Sequence, residues 1–408
     1  MKPLGSIPPG FATIDGELAV GGKTASRLVH DAGSTPLFVY SADLIRQRVA
    51  ALREAMPDSL SLHYAIKANS FQPILQLFSE LVDGFDIASG GELELVRQAG
   101  IALDQVSFAG PGKRDDELEA AVRAGVTLNL ESEAEADRAL RISESTGIAA
   151  RLAIRVNPDF DLKGSGMKMG GGAKPFGVDA ERVPKLARHI IASGAEWRGF
   201  HIFAGSQALD AEAIAETQAQ TLELAGKLAD ESGAPLPHCN LGGGIGIPYF
   251  PGDKPVDLAL VGERLAEQFA NLPDSLAETK FCIELGRYLV GEAGVYLARI
   301  VDRKQSHGET FLITDGGLHH QLAASGNFGT VIRRNYPAAI ATRFDAPAEE
   351  AAHIVGCLCT PLDRLSDNGG FPRAEVGDLV AIFCAGAYGA SASPATFLGQ
   401  GPAQEILV

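Results

Sequence analysis

At 408 residues, 46% of them hydrophobic and 21% charged, the chain is too long for one small core and is expected to hold two domains, one of them large. A formal net charge of −16 argues against nucleic acid or an anionic membrane as a partner, and no apolar run reaches the length of a bilayer span. Residues 1–10 lack the charged-then-apolar pattern of a signal peptide, so a cytoplasmic location is expected.

In chain order, the segment up to Pro36 is short, needs a partner to pack on, and is assigned to a β domain. One pattern then recurs: a short apolar, β-branched run ends in Gly, Asn or Ser and leads into a helical stretch. The runs are LSLHYAIKAN from Leu60, GFDIAS from Gly84, VSFAGP from Val106 and TLNLES from Thr127. RLAIRVN from Arg151, GFHIFAGS from Gly199, HCNLGGG from His238 and KFCIELG from Lys280 complete the eight. Between them, DDELEAAVRAG from Asp115 and AIAETQAQTLELAGKLADESG from Ala213 show helical spacing and stop at Gly125 and Gly233. Alternating strand and helix units imply a parallel α/β sheet, and eight units favour a closed (β/α)8 TIM-like barrel over an open doubly wound sheet. The barrel is placed at residues 37–286, with GSGMKMGGGAKPFG (residues 164–177) as a mobile loop after the fifth strand. Beyond Gly286 the runs GVYLARIVD, ETFLITDGG, DLVAIFCAG and QEILV follow one another as strands, so residues 1–36 and 287–408 are expected to form a mainly β domain.

The five cysteines, Cys239, Cys282, Cys357, Cys359 and Cys384, are odd in number and show no Cys-x-x-Cys spacing, which speaks against a disulfide framework or a structural metal. Chemistry is therefore sought at the C-terminal ends of the barrel strands, where such barrels carry it. Lys67 ends the first strand, Asp86 the second, Arg155 the fifth; His201, Phe203 and Ser206 end the sixth, a glycine cluster including Gly243 and Gly244 the seventh, and Glu284, Gly286 and Arg287 the eighth. A glycine cluster lets backbone N–H groups approach an anion, and Ser206 and Arg287 add phosphate donors. A lysine amine can form a Schiff base, and a carboxylate such as Glu284 can hold a pyridine nitrogen protonated. Each has a plainer reading, as a solvated charge, a tight turn or a structural ion pair. Their coincidence on one rim is what pyridoxal 5'-phosphate (PLP) requires.

The segments TPLFVYSADLIRQRV, YAIKAN, GFDIASGGEL, FAGPGK, RVNP, GSQ, LGGGIG, IELGRYLVGEAG, CTPLD and GAYGAS cover nearly the whole chain. In this order they resemble the fold-type III PLP decarboxylases, the group of diaminopimelate, ornithine and arginine decarboxylases with an alanine racemase-like barrel. The resemblance implies that Lys67 carries the cofactor as a Schiff base, with Asp86 near it. Ser206, Gly243, Gly244, Arg287 and Tyr388 would surround the phosphate, Glu284 would pair with the pyridine nitrogen, and Arg155 would lie near the ring and its phenolic oxygen. It further implies that Cys359 returns a proton to the substrate carbon across the interface of an obligate homodimer, with Thr360 and Asp363 beside the substrate.

Three positions depart from that pattern. Phe203 stands where the family places a ring-stacking histidine, and His201 lies two residues earlier, on the same strand face. Ala323 occupies the position of an arginine that binds a distal carboxylate; Arg333 and Arg334 follow later. Thr360 replaces an acid that binds a distal amine. These features resemble a subgroup acting on amino acids tethered to an acyl carrier protein or otherwise conjugated. Two alternatives remain open at this point: an alanine-type racemase, disfavoured by Glu284 where racemases carry arginine, and a non-catalytic PLP-binding homologue. Cys357 and Cys359 have a packing role as their plain reading, and the adjacent His319 and His320 read either as substrate contacts or as polar surface, the second being preferred.

Overall fold

The computed structural model describes residues 1–326 and 334–408. The chain divides into two compact units, one of residues 49–246 and 255–286, the other of residues 1–48, 247–254 and 287–408.

The first unit is a closed barrel of eight parallel strands. They are Ser61–Ala65, Gly84–Ile87, Val106–Phe108, Thr127–Leu130, Arg151–Asn157, Glu196–Ile202, His238–Asn240 and Lys280–Leu285. Seven of them fall within their apolar runs, and the sixth starts three residues ahead of its run, which begins at Gly199. The eighth strand closes on the first with Glu284 level with His63 and Leu285 level with Tyr64. Helices return the chain between strands, and their ends follow local chemistry. Asp115–Ala124 stops at Gly125 (φ 71°), and Ala211–Ser232 starts on the Asp210 side chain and stops at Gly233 (φ 67°). Strand six carries a bulge between Trp197 and Gly199. Part of the glycine-rich segment pairs with the chain that follows strand six. Met167–Lys168 pairs with Gly205–Ser206, and the N–H groups of Met169 and Gly170 donate to the Ala204 carbonyl.

The second unit is built on an eight-stranded mixed sheet. Its long strand Gly294–Ser306 pairs antiparallel with Glu309–Thr314, Leu379–Phe383 and Leu37–Tyr40. The last of these, placed by the sequence reading at the start of the barrel, also pairs in parallel with Gln404–Leu407. Residues 37–48 and 247–254 thus group with the β-rich unit. Its core gathers Leu18, Leu37, Val39, Val295, Leu297 and Phe383, which ties residues 1–36 to the sheet. No helix among the described residues is long and apolar enough to cross a membrane.

Candidate active site

Lys67 sits in a single 3₁₀ turn, Ile66–Ala68, at the end of the first barrel strand. The Tyr64 hydroxyl donates to the Asn69 carbonyl (2.8 Å), and the Asn69 side chain accepts the Phe71 N–H (3.0 Å), which fixes the turn. Gly286 is needed for the same turn, because a Cβ there would lie 2.8 Å from that of Ala68 and 3.0 Å from the Ala65 carbonyl. Lys67 is exposed, and its Nζ stands 5.7 Å from the centre of the Phe203 ring. Phe203 is half-buried and runs parallel to the buried His201 ring, 6.4 Å away at an interplanar angle of 9°.

Beneath them Glu284 Oε2 lies 2.7 Å from His201 Nε2 and accepts from Asn240 Nδ2 at 3.3 Å. Burial alone would raise the Glu284 carboxyl, but the His201 contact, then the charges of Lys67 and Arg155, outweigh it and bring it down to about 2. Asp86 moves the other way: burial and next the Glu284 charge push it up, with His63 offsetting part. Among the described residues its oxygens form no hydrogen bond, though His63 Nδ1 is 3.4 Å away.

Arg155 donates to Glu131 Oε1 at 2.8 Å and lies against the Phe176 ring at 4.9 Å. Glu131 also accepts the N–H groups of Gly110 and Gly177, fixing two rim loops. Burial opposes its ionisation, but Arg155 prevails and its carboxyl is lowered. Beside it Lys113 of the FAGPGK segment forms a fully buried pair with Glu135 at 2.6 Å. Glu131, Glu135 and Asn240 were not singled out from sequence. The one available signal was that Glu131 lies in the TLNLES run and Asn240 in the HCNLGGG run.

The glycine cluster packs tightly on its own strand ends. A Cβ on Gly243 would lie 2.0 Å from the Glu284 carbonyl, and Gly244 has φ 100°. Among the described residues the N–H groups of Gly243 and Gly244 donate to no protein group, and Ser206 is half-buried in the same unit. Unspent backbone donors, the flat Phe203 face, the Lys67 amine and the Asp86 acceptor oxygens together suit a phosphorylated pyridine aldehyde.

The remaining candidates belong to the β-rich unit. Arg287 donates to the Tyr249 hydroxyl (2.8 Å) and lies 4.7 Å over the Tyr388 ring, while its buried Nε has no partner among the described residues. Cys359 is exposed and Thr360 half-buried. Asp363, expected to face substrate, is buried, and its two oxygens accept the N–H groups of Leu318 (2.7 Å) and Leu358 (2.8 Å). It shapes the segment that carries Cys359, because both oxygens are committed to backbone. His319 and His320, expected at the surface, are 0% and 5% exposed. Arg334 stacks on Phe250 at 3.8 Å, and Arg333 lies outside the described residues. No metal-ligating cluster occurs among the described residues.

Comparison with known proteins agrees with this chemistry. A family model for the pyridoxal-binding domain of pyridoxal-dependent decarboxylases matches residues 42–291. L-glutamyl-(BtrI acyl-carrier protein) decarboxylase of Niallia circulans is 36% identical over 379 residues, covering 91% of this chain and 88% of that protein. Diaminopimelate decarboxylase of Aquifex aeolicus is 34% identical over 395 residues, covering 95% of this chain and 90% of that one. The crystal structure of diaminopimelate decarboxylase from Helicobacter pylori complexed with L-lysine superposes with a TM-score of 0.83 at 28% identity, over 94% of each chain. The chain belongs to the pyridoxal-dependent decarboxylases, and pyridoxal 5'-phosphate is its cofactor.

Proposed function

We propose that the enzyme decarboxylates an α-amino acid whose distal end is held in a neutral linkage, as in an amino acid tethered to a carrier protein. The observation that carries the catalytic part is the meeting of Lys67, Phe203 and the His201–Glu284 pair at one end of the barrel. In this reading Lys67 attaches the cofactor, Gly243, Gly244 and Ser206 take its phosphate, and Phe203 supplies the ring face. Glu284, kept ionised, holds a proton on the pyridine nitrogen, and His201 positions Glu284 from below. Arg155, oriented by Glu131, faces the ring's phenolic side. When bound, the cofactor supplies the sink for the electron pair left as carbon dioxide departs. Decarboxylating an amino acid to an amine consumes one proton, and the exposed Cys359 thiol is assigned to deliver it at the former α-carbon, from the neighbouring subunit of a homodimer. Thr360 contributes no charge at the distal end, and Asp363 positions the Cys359 segment.

The carrier-linked substrate draws on Ala323 and Thr360, which provide neither a cation for a carboxylate nor an anion for an amine. It also draws on the name of the Niallia circulans relative. The test is carbon dioxide release by PLP-loaded protein from free diaminopimelate, ornithine, lysine, arginine and glutamate, and from carrier-bound glutamate. We expect release from the carrier-bound form and little from the free acids; fast turnover of free diaminopimelate would overturn the substrate assignment. Lys67→Ala is expected to lose the covalently bound cofactor absorbance and at least about 10³-fold in rate. A variant that kept both would remove Lys67 from its role.

A further inference from the structure

A polar cavity of about 230 Å³ lies at the end of the barrel opposite Lys67. Ser61, Val106, Thr127, His238 and Lys280 stand around it, each the first residue of a barrel strand. Barrels of this kind fill their interior with layers of branched apolar side chains. Here Ser107, Asn129, His63 and the Cys282 thiol line open space instead. The cavity also reaches the groups beneath the candidate active site. Asn240 lines it and donates to Glu284 (3.3 Å), and His63 lines it with Nδ1 3.4 Å from Asp86 Oδ2. Gly84 makes room for that imidazole, because a Cβ there would fall 2.6 Å from His63 Nε2.

Arg198, also in the lining, is the extra residue of the strand-six bulge: Trp197 is level with Leu152 and Gly199 with Ala153. A bulge re-aims a side chain out of the strand's alternation. This one depends on Gly199, whose φ is 100°. Arg198 Nη1 donates to Glu196 (3.0 Å), but its buried Nε has no partner among the described residues. Buried donors almost always find acceptors, and this one belongs to the planar fork that grips two oxygens of one oxyanion. The surrounding charges favour an anion too. Against the cations Arg151, Arg198 and Lys280 stand Glu196, which Arg151 shares (3.3 Å), and the exposed Asp104. Asp83 is already spent on the Leu62 N–H (2.7 Å) and Arg53 (3.0 Å). His238 registers the excess: burial, then Arg198, Lys280 and Arg151, bring its imidazole down to about 4.

We propose that this cavity is a binding site for a small oxyanion, a carboxylate or a phosphate, held by Arg198 and Lys280, and that its occupancy is felt at Asp86 and Glu284. The Arg198 Nε–H donates to one oxygen of the anion, and the Lys280 ammonium supplies a second charge at the mouth. His63 and Asn240 carry the effect upward, since each borders the cavity on one side and an active-site acid on the other. The site is independent of which amino acid is decarboxylated.

The chain's one tryptophan is a built-in reporter. Trp197 adjoins Arg198, and its ring meets Phe200 of the cavity lining edge-on at 5.5 Å. Its fluorescence is followed in the holoenzyme while inorganic phosphate or succinate is added at constant ionic strength. Saturation by at least one is expected, and the two arms tell a phosphate site from a carboxylate site. The absorbance of the bound cofactor is expected to change with the same midpoint. Arg198→Gln should raise that midpoint at least about 10-fold while leaving the anion-free cofactor spectrum unchanged. If this variant does not hold cofactor, Lys280→Gln is judged by the same shift. No saturation by either anion, or a midpoint that the variant leaves in place, overturns the site. Saturation with the cofactor absorbance unmoved overturns the link to Asp86 and Glu284.

Discussion

Glu284 and Asp86 share one barrel interior, yet their environments push them apart, Glu284 down and Asp86 up. Such a divided pair gives one group that stays ionised and one that can hold a proton. Glu284→Gln is expected to slow turnover about 10²- to 10³-fold with cofactor still bound, since the charge opposite the ring is lost. The pH dependence carries a sign. A carboxyl held below its unfolded value of about 4.3 adds stability that is complete above that value and fades as pH falls through the folded one. The gap in urea midpoint between wild type and Glu284→Gln should therefore narrow from about pH 5 toward pH 3. A gap that stays constant would show that the His201 contact gives Glu284 no such advantage. At this scale sequence reading is strongest for groups at strand ends, such as Lys67 and Glu284. It fails for Glu131, whose role exists only because strand four lies beside strand five. It fails also for His319, because two adjacent histidines carry no local sign of burial.

The repeated strand–helix unit was legible because each strand is a short apolar run and some of the helices stop at a glycine. Gly125 and Gly233 mark those stops, and both adopt positive φ. The strand Leu37–Tyr40 was misplaced because LFVY reads the same whether its neighbour is parallel or antiparallel; pairing with Gly294–Ser306 is a long-range fact. Two glycines with positive φ separate the effects of backbone and space. Nothing lies within 4 Å of a Cβ added to Gly233, whereas one added to Gly199 would lie 1.9 Å from the His238 carbonyl. Gly233→Ala is expected to cost about 1 kcal/mol, the conformational term alone. Gly199→Ala should cost about 3 kcal/mol or more, because strands six and seven must separate at the bulge. Equal losses in urea unfolding would mean that the bulge relaxes freely.

At the scale of the whole molecule, the proposed dimer makes a claim no single chain can satisfy: Lys67 and Cys359 of one site come from different subunits. Lys67→Ala and Cys359→Ala should each be inactive, and their mixture after reassociation should recover about a quarter of wild-type activity by random pairing. A mixture that stays inactive would place both residues of a site on one subunit.

The strand Leu37–Tyr40 lies between Gly294–Ser306 and Gln404–Leu407, and Tyr40 bonds Glu405 across 365 residues of chain. During synthesis this strand emerges early and must wait for almost everything else before either edge is covered. The barrel strands, by contrast, all lie before residue 286, so that unit can close while the sheet still lacks its last strand. Until then LFVY presents two open, apolar edges, the kind that recruit other chains. A cell making this enzyme quickly therefore meets its greatest risk of misassembly in the β-rich unit, at a strand translated well before either of its partners.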